Sequence, residues 1–591
     1  MKESKQTPKS PKYWPYLFIL LACLLLNANT FNHGFVLDDD VVFVQNRFVQ
    51  EGISGIDDIL SHGYLYGFNQ RNDQSYRPLV LISYAIEKSF FGGEPKSLHV
   101  FNVLFYALVV MLLYAFLKLL FKEQSHWWAF WISLLYLFHP IHTEAVANIK
   151  GRDEIFHALF TLLTLYHVLR YHDFGKKKDL ILSMISFFLA LMCKEMAVSL
   201  LALVPLCLYF FRDIKLKQLL LNSSYFAAVL VVYLILRSAI LDSITFEEQM
   251  TVINNTLAAA PDLGSRIATN FVIFVNYLKL LVFPHPLSWD YSYPYFQIVG
   301  FSNPFVILIV LLFLLALGFS VYGLKSKNVY AFTFLFFLIS FAVVSNFFIL
   351  IGATLGERFL FFPSIAFCIL LARLIADLDK QWFAKKRKYA LPIAILIPIL
   401  ALYGFKTYDR NQDWESNEKL FIAGYEAIPN NSRAVSALAS VYRNRGEMAQ
   451  NEETQIKNLE RSLELYLESI KLYTGNTDAF YNLGVVYMNL NKRDKARLAY
   501  EQVLNLNPNH TKALNNIGVI YFQQADYTTA ESLFLRALNV EPDFQNAHAN
   551  LGAVYHNTGD LQKARSYYER ALQLNPADQN TRNNLNLLLG N

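Results

Sequence analysis

Long apolar segments separated by short polar connections fill the first two thirds of the chain. Stretches long enough to cross a bilayer as a helix, about 20 residues each, fall near 14–30, 98–121, 127–146, 154–171, 179–193, 195–211, 222–241, 302–323, 329–349, 358–378 and 389–405. One more, 266–285, carries Asn270, Asn276 and Lys279 inside its apolar run. Basic residues decide which segments cross, because cytoplasmic loops are enriched in Lys and Arg. The N-terminal MKESKQTPKSPK is basic. So are alternate connections further on: Lys122; Arg170 with Lys176, Lys177 and Lys178; Arg212, Lys215 and Lys217; Lys325 and Lys327; Lys385, Lys386, Arg387 and Lys388. The alternation persists only if 266–285 stays on one side, as a re-entrant or interfacial helix. This predicts about 11 spans, a cytoplasmic N-terminus, a first outward loop over about 31–97, a second over about 242–301, and everything after 406 outside. Within the first loop, ISGIDDILSHGYLYGF mixes apolar and polar positions too evenly to span and predicts amphipathic helices along the interface. A secretory signal over residues 1–30 is disfavoured, since no clear A-x-A cleavage site follows.

Beyond Tyr408 the sequence becomes polar and helical, and repeats itself. Gly484, Gly518 and Gly552 are spaced by 34 residues, as are Tyr487, Tyr521 and Tyr555, and Pro508, Pro542 and Pro576. That is the tetratricopeptide period. NLGVVY, NIGVIY and NLGAVY occupy the first helix of each copy; Ala496, Ala530 and Ala564 occupy the second, where a small side chain lets the paired helices approach. Three clear copies cover 477–578. A degenerate copy with an insertion covers 432–475, with Leu438, Ala439 and Tyr442 in register, and 421–429 reads as a half repeat docking onto the membrane domain. The fold class is therefore all-α: a polytopic transmembrane domain over 1–408, followed by a repeat α-solenoid over 409–591. Repeat arrays bury their faces against neighbours and present a concave binding surface. Asn482, Asn516 and Asn550 share one repeat position and form a ladder whose amides can both donate to and accept from a peptide backbone. They are the candidate acceptor-peptide residues; the plainer readings are solvated helix positions and a docking platform for a partner protein.

Composition agrees with a polytopic chain: of 591 residues, 54% are hydrophobic, 15% aromatic and only 17% charged, below the quarter usual in soluble domains. The net charge of +5 is small for this length and gives no reason to expect nucleic acid. Cys23, Cys193, Cys207 and Cys368 lie in or beside apolar runs without CxxC spacing, which predicts packing rather than a disulfide or zinc. The informative charges are those the topology gathers on the outward side. They are Asp38 to Asp40, Arg77, His99, His139, His142, Glu144, Arg152, Asp153, Glu154, Lys194, Glu195, Arg266, Asp290, Glu357 and Arg358. One Arg or Lys near a helix end usually snorkels, and one His usually packs. Ionisable groups gathered at membrane depth point to a site. Cations suit an anionic lipid head group such as a phosphate. Carboxylates can take a proton from an attacking hydroxyl or hold a divalent metal, and adjacent ones raise at least one pKa. Together these groups predict transfer from a lipid phosphate donor to a hydroxyl acceptor; an ion channel fits less well, because mixed charges do not make a single-sign ring.

In order along the chain stand FVLDDDVVFVQN, YRPL, HVFNVLFYAL, HPIHTEAVANIKGRDE, CKE, PLSWDYSYP and GERFLFFPS, then DW and the repeats. This series resembles the transmembrane and tetratricopeptide-repeat O-mannosyltransferases, of the C superfamily of membrane glycosyltransferases (GT-C), over nearly the whole chain. The resemblance implies a GT-C-like membrane domain and a polyprenyl-phosphate sugar donor, by family habit dolichyl-phosphate mannose. It implies transfer to Ser or Thr hydroxyls of proteins on the outer or lumenal face, with the repeats recruiting the acceptor. The family's aspartate pair is separated from an asparagine by six residues. Counting back from Asn46 gives Asp38 and Asp39, one of them the general base, with Asp40 a bystander. The resemblance places Arg77, Arg152, Lys194 and Arg358 at the donor phosphate and His139, His142 and Glu144 around the sugar, with Glu357 beside them. No cofactor is required, and a divalent metal is an open alternative. Short loops, the absence of a cleavable N-terminal segment and few repeats suit a bacterial relative using undecaprenyl phosphate in the inner membrane, facing the periplasm, with a sugar that need not be mannose. The other compartment is the endoplasmic reticulum, facing the lumen. Two alternatives stand beside this reading: a membrane-anchored repeat scaffold, and a transferase acting on lipid-linked glycans.

Overall fold

The computed structural model describes residues 13–70, 75–122, 126–241, 250–382 and 390–590. The basic residues 1–12 and the run 385–388 lie outside the described residues. Among the described residues every regular element is a helix. The chain divides into two compact units, Met1–Ser292 with Phe296–Ala427, and Tyr293–Tyr295 with Ile428–Asn591. Residues 409–427 thus pack with the membrane unit rather than with the repeats.

Among the described residues, five helices of the first unit are long and apolar enough to cross a membrane: Pro95–Phe121, Leu216–Ile240, Leu263–Val282, Pro304–Ser326 and Leu391–Glu415. Trp14–Leu26, Glu195–Phe211 and Val329–Val344 are shorter apolar helices. The chain is an integral membrane protein. The number of long helices is smaller than the eleven segments read from hydropathy, and polar breaks are the reason. His126–Phe138 stops before His139 and Pro140, Lys177–Leu191 has only 15 residues, and Arg152–Phe174 opens on Arg, Asp and Glu. Arg152–Phe174 is buried on nearly every side, whereas Leu216–Ile240 and Pro304–Ser326 leave most of their Leu, Ile and Val exposed, as helices do whose neighbour is lipid. Proline at the first helical turn starts Pro78–Phe91, Pro95–Phe121 and Pro304–Ser326, where its missing N–H costs nothing.

Leu263–Val282, the stretch expected to stay on one side, is long and apolar enough to cross a membrane, and it is hydrogen-bonded along its length to other segments of the same unit. Asn270 Nδ2 donates to Ser345 O (2.8 Å), and Thr269 Oγ1 donates to Val299 O (3.2 Å). Tyr277 OH accepts from the amide of Gly356 (3.0 Å), and Leu281 O pairs with His139 Nε2 (2.9 Å). The stretch 53–68, expected as amphipathic helices, forms the short pieces Gly52–Gly55, Ile56–Ser61 and Tyr66–Asn69. They cover Pro78–Phe91 through a core that includes Phe48, Ile59, Tyr64, Leu81 and Tyr84.

The second unit is a run of paired antiparallel helices from Ser432–Glu447 to Gln579–Leu589. Its period has a visible steric cause. A Cβ on Gly484 would stand 2.4 Å from the Tyr500 ring, on Gly518 2.6 Å from Phe534, and on Gly552 2.5 Å from Tyr568. Each glycine therefore lets an aromatic ring of the second helix lie against the backbone of the first. Ala496, Ala530 and Ala564 are fully buried. The degenerate copy carries its insertion as a longer second helix, Glu452–Leu472.

Candidate active site

The three consecutive aspartates have three different environments. Asp39 is fully buried; its Oδ2 accepts from the amide of Val36 (3.0 Å) and its Oδ1 from the amide of Lys150 (2.8 Å). It clamps the loop after the first helix to the turn Ile149–Gly151. Burial pushes its pKa up to about 7, with Asp38 and Asp40 adding to the effect. Asp38 points outward, its side chain 58% exposed and its Oδ2 4.0 Å from Lys150 Nζ. Asp40 opens the short helical turn Asp40–Val44, and Asn46 caps the next helix by accepting from the amide of Val49 (3.3 Å).

The raised Asp39 pKa sets a sign for stability. An unfolded Asp ionises near 3.8, while the folded one holds its proton to about 7. Between those values the unfolded chain binds fewer protons, so this group makes stability fall as pH rises, and its effect levels off above the folded value. The Asp39→Asn protein is therefore expected to show a flatter stability profile than the parent between about pH 4 and 7. Parallel profiles in detergent would mean that Asp39 carries no raised pKa.

Around Asp38 the loops bring together charges from four distant parts of the sequence. Asp153 is the hub: Arg77 Nη1 lies 2.9 Å, Lys194 Nζ 3.6 Å and Lys150 Nζ 3.7 Å from its Oδ2. Burial alone would raise the Asp153 carboxyl, but Lys150, Lys194, Arg77 and Arg358 hold it well below the usual range. Arg77 also pairs with Glu195 (3.0 Å), and Lys194 with Glu154. Arg358 donates to Glu144 through Nη1 (2.7 Å) and its own amide (2.9 Å). Its charged neighbours further include Asp38, Asp153 and Glu154. Sequence reading missed Lys150, which bridges Asp38 and Asp153; its burial lowers the ammonium pKa. The signal was available in IKGRD, three residues before the hub. It also missed Tyr64, whose ring lies 5.5 Å from the Arg77 guanidinium and whose buried hydroxyl has no hydrogen-bond partner among the described residues. Among the described residues, no group of three or more His, Cys, Asp or Glu is placed to hold a metal ion.

Four residues expected in the same site are occupied elsewhere. Arg152 is fully buried. It donates through Nε to Asn102 (2.7 Å), through Nη1 to Ser83 (3.1 Å) and Glu87 (2.5 Å), and through Nη2 to Glu87 (3.1 Å) and Leu98 O (3.2 Å). Every N–H donor of a guanidinium is thereby used, leaving none for a phosphate. His139 accepts from the amide of Ile141 through Nδ1 (3.2 Å) and donates to Leu281 O through Nε2 (2.9 Å). His142 sits between Tyr106 OH (3.0 Å) and Ser364 Oγ (2.9 Å). Neither imidazole has a nitrogen left for a sugar, and both brace helix ends around the cluster. Glu357 turns away from Arg358: its Oε1 accepts from the amide of Ser288 (2.6 Å) and from Tyr291 OH (2.8 Å), and burial pushes its pKa up to about 7.

In the repeat unit the asparagine ladder is half-buried and bonded between neighbouring helices. Asn482 Oδ1 accepts from Arg443 Nη1 (2.6 Å), Asn516 Nδ2 donates to Tyr500 OH (3.2 Å), and Asn550 Nδ2 donates to Asn515 Oδ1 (2.8 Å). The amides stitch successive repeats together, so part of their hydrogen-bonding capacity is used within the array.

Two family models match this chain. Residues 78–241 match the model of dolichyl-phosphate-mannose-protein mannosyltransferases, and residues 446–575 match the middle TPR-like domain of cilia and flagella-associated protein 70. Among curated proteins, the chain is similar to the protein O-mannosyl-transferase TMTC3 of Homo sapiens, 26% identical over 469 residues, covering 74% of this chain and 49% of that protein. It is similar to Tmtc3 of Drosophila melanogaster, at 24% identity over 82% of this chain and 58% of that protein. It is also similar to TMTC4 of Mus musculus, at 26% identity over 72% of this chain and 63% of that protein. The chain spans about half the length of the first of these relatives.

Proposed function

We propose that this protein is a membrane glycosyltransferase that moves a sugar, mannose by its similarity, from a polyprenyl-phosphate donor to Ser or Thr hydroxyls of proteins. The observation that carries the reading is Asp38: one exposed carboxylate at the rim of a cluster holding Lys150, Arg77, Lys194 and Arg358. In this reading Asp38, not Asp39, is the general base. It takes the proton of the acceptor hydroxyl as that oxygen bonds to the anomeric carbon of the sugar. The bond from that carbon to the phosphate oxygen breaks, and the electron pair leaves with the lipid phosphate. Arg358 and Lys150, whose side chains remain 28% and 11% exposed, receive its charge. Arg77 and Lys194 act behind them by holding Asp153. A lipid monophosphate carries little enough charge for these cations to balance. The same unit also holds an apolar cavity of about 320 Å³ lined by residues that include Phe274, Leu278, Leu281, Phe334, Phe337 and Phe367.

The catalytic unit in this reading runs through Ala427, and the repeats from Ile428 recruit the protein acceptor. The N-terminus lies in the cytoplasm, with the Asp38 loop and the repeats on the opposite face. The test is transfer by the purified full chain from dolichyl- or undecaprenyl-phosphate mannose to Ser- and Thr-containing peptides, read by mass spectrometry. Hexose on the peptide hydroxyl is expected. Transfer only to lipid-linked glycans, or none from either donor, would overturn the proposal.

A further inference from the structure

The loop that carries Asp38 is a β-turn over Val36–Asp39, closed by the amide of Asp39 donating to Val36 O (3.1 Å). Its second residue, Leu37, has φ 48°, a left-handed conformation that such turns normally assign to Gly or Asn. A leucine stays there only when its surroundings over-determine it. The surroundings are a segment nearly 400 residues later in the same unit. Asn417, the first residue of the helix Asn417–Ala427, accepts the Leu37 N–H on its Oδ1 (2.8 Å), and Glu415 O accepts the amide of Gly34 (3.0 Å). Val36 is buried with Ala147, Trp414 and Leu420, and Leu37 packs on this cluster with Phe421. The Asp39 clamp holds the amides of Val36 and Lys150, and the turn bond holds the carbonyl of the Val36–Leu37 peptide. The Asn417 hydrogen bond holds the N–H of that same peptide and so fixes the plane from which the Leu37 φ is set.

We propose that Asn417 is a positioning residue for Asp38: by holding the Leu37 N–H it keeps the turn in its left-handed form and so aims the Asp38 carboxylate at the cationic rim. The assignment rests on Asp38 being the base. Without the tether, Leu37 relaxes to negative φ, the following peptide turns over, and Asp38 swings away from Lys150. Asn417 touches neither donor nor acceptor, and acts only through the direction of the next side chain.

The test compares Asn417→Ala, Asn417→Asp, Leu37→Gly and the double variant Asn417→Ala with Leu37→Gly, in the full-length protein. Asn417→Ala is expected to lower kcat by about 10- to 100-fold, the scale of a misplaced reacting group, with KM for the lipid donor within about two-fold of the parent because the cations are unmoved. Asn417→Asp keeps an acceptor oxygen at the same place and is expected to retain most of kcat. Leu37→Gly removes the steric objection to positive φ, so in the Asn417→Ala background it restores most of the lost rate. Hydrogen exchange at the Leu37 amide, slow in the parent, is expected to accelerate in Asn417→Ala. Parental kcat in Asn417→Ala overturns the proposal. So does a loss that Leu37→Gly fails to restore, since Asn417 would then act through helix docking alone. A parent chain that transfers no sugar overturns the transferase reading and this assignment together, whereas an active parent with an indifferent Asn417 overturns this assignment only.

Discussion

Asp38→Asn is expected to lower kcat for sugar transfer by about a thousand-fold, within the range usual for loss of a positioned general base, while the protein unfolds at the parental temperature. The side chain is 58% exposed and its charged neighbour, Lys150, lies 4.0 Å away, so the substitution removes little that holds the fold. Because the cations are untouched, KM for the lipid donor is expected to change little, and kcat and kcat/KM fall together. Asp39→Asn behaves differently. An amide offers one acceptor oxygen where Asp39 uses two, for Val36 and Lys150, so stability and rate fall together. Undiminished transfer by Asp38→Asn, with loss in Asp39→Asn at parental stability, would exchange the two roles.

The second large effect is on folding. Arg152→Met leaves the Glu87 carboxyl unpaired in the interior and is expected to cost about 3–5 kcal/mol, the usual consequence of removing one partner of a buried ion pair. The Arg152 side chain is 0% and that of Glu87 6% exposed, so solvent screens the pair little. The guanidinium also lies 4.5 Å from the Tyr84 ring centre, packing that a methionine replaces only in part. Thermal unfolding in detergent measures the loss. Replacing Glu87 as well, by leucine, is expected to recover much of it, because no orphaned carboxyl remains. Parental stability for Arg152→Met combined with a raised KM for the donor would instead make Arg152 a phosphate ligand.

These two residues mark where sequence reading stops. The motif GRDE brings Arg152 and Asp153 to the start of one helix; both stand among the outward charges, and the resemblance places only Arg152 at the donor phosphate. Helix geometry then sends them in different directions, Arg152 toward Glu87 and Asn102, Asp153 toward Arg77, Lys150 and Lys194. His139 and His142 went the same way: their place in HPIHTEAV was legible, but their hydrogen bonds to Leu281 and Ser364 come from segments more than a hundred residues away. Lys150 stands in the same run, HPIHTEAVANIKGRDE, but was not among the outward charges singled out there.

The sequence alone determined whatever depends on neighbours in the chain. Apolar runs dictated membrane helices, since a backbone in lipid must satisfy its own hydrogen bonds. The 34-residue period dictated the solenoid, because each repeat glycine faces a ring in its own helix pair, as Gly484 faces Tyr500. Tertiary structure alone decided roles set by burial and by long-range partners. It buried Asp39 and exposed Asp38, although the two are adjacent and chemically identical. It filled every donor of Arg152 and brought Asn417 to the amide of Leu37. A carboxylate's readiness to take a proton depends on the water and charge around it, and in this protein those come from segments the chain itself keeps far apart.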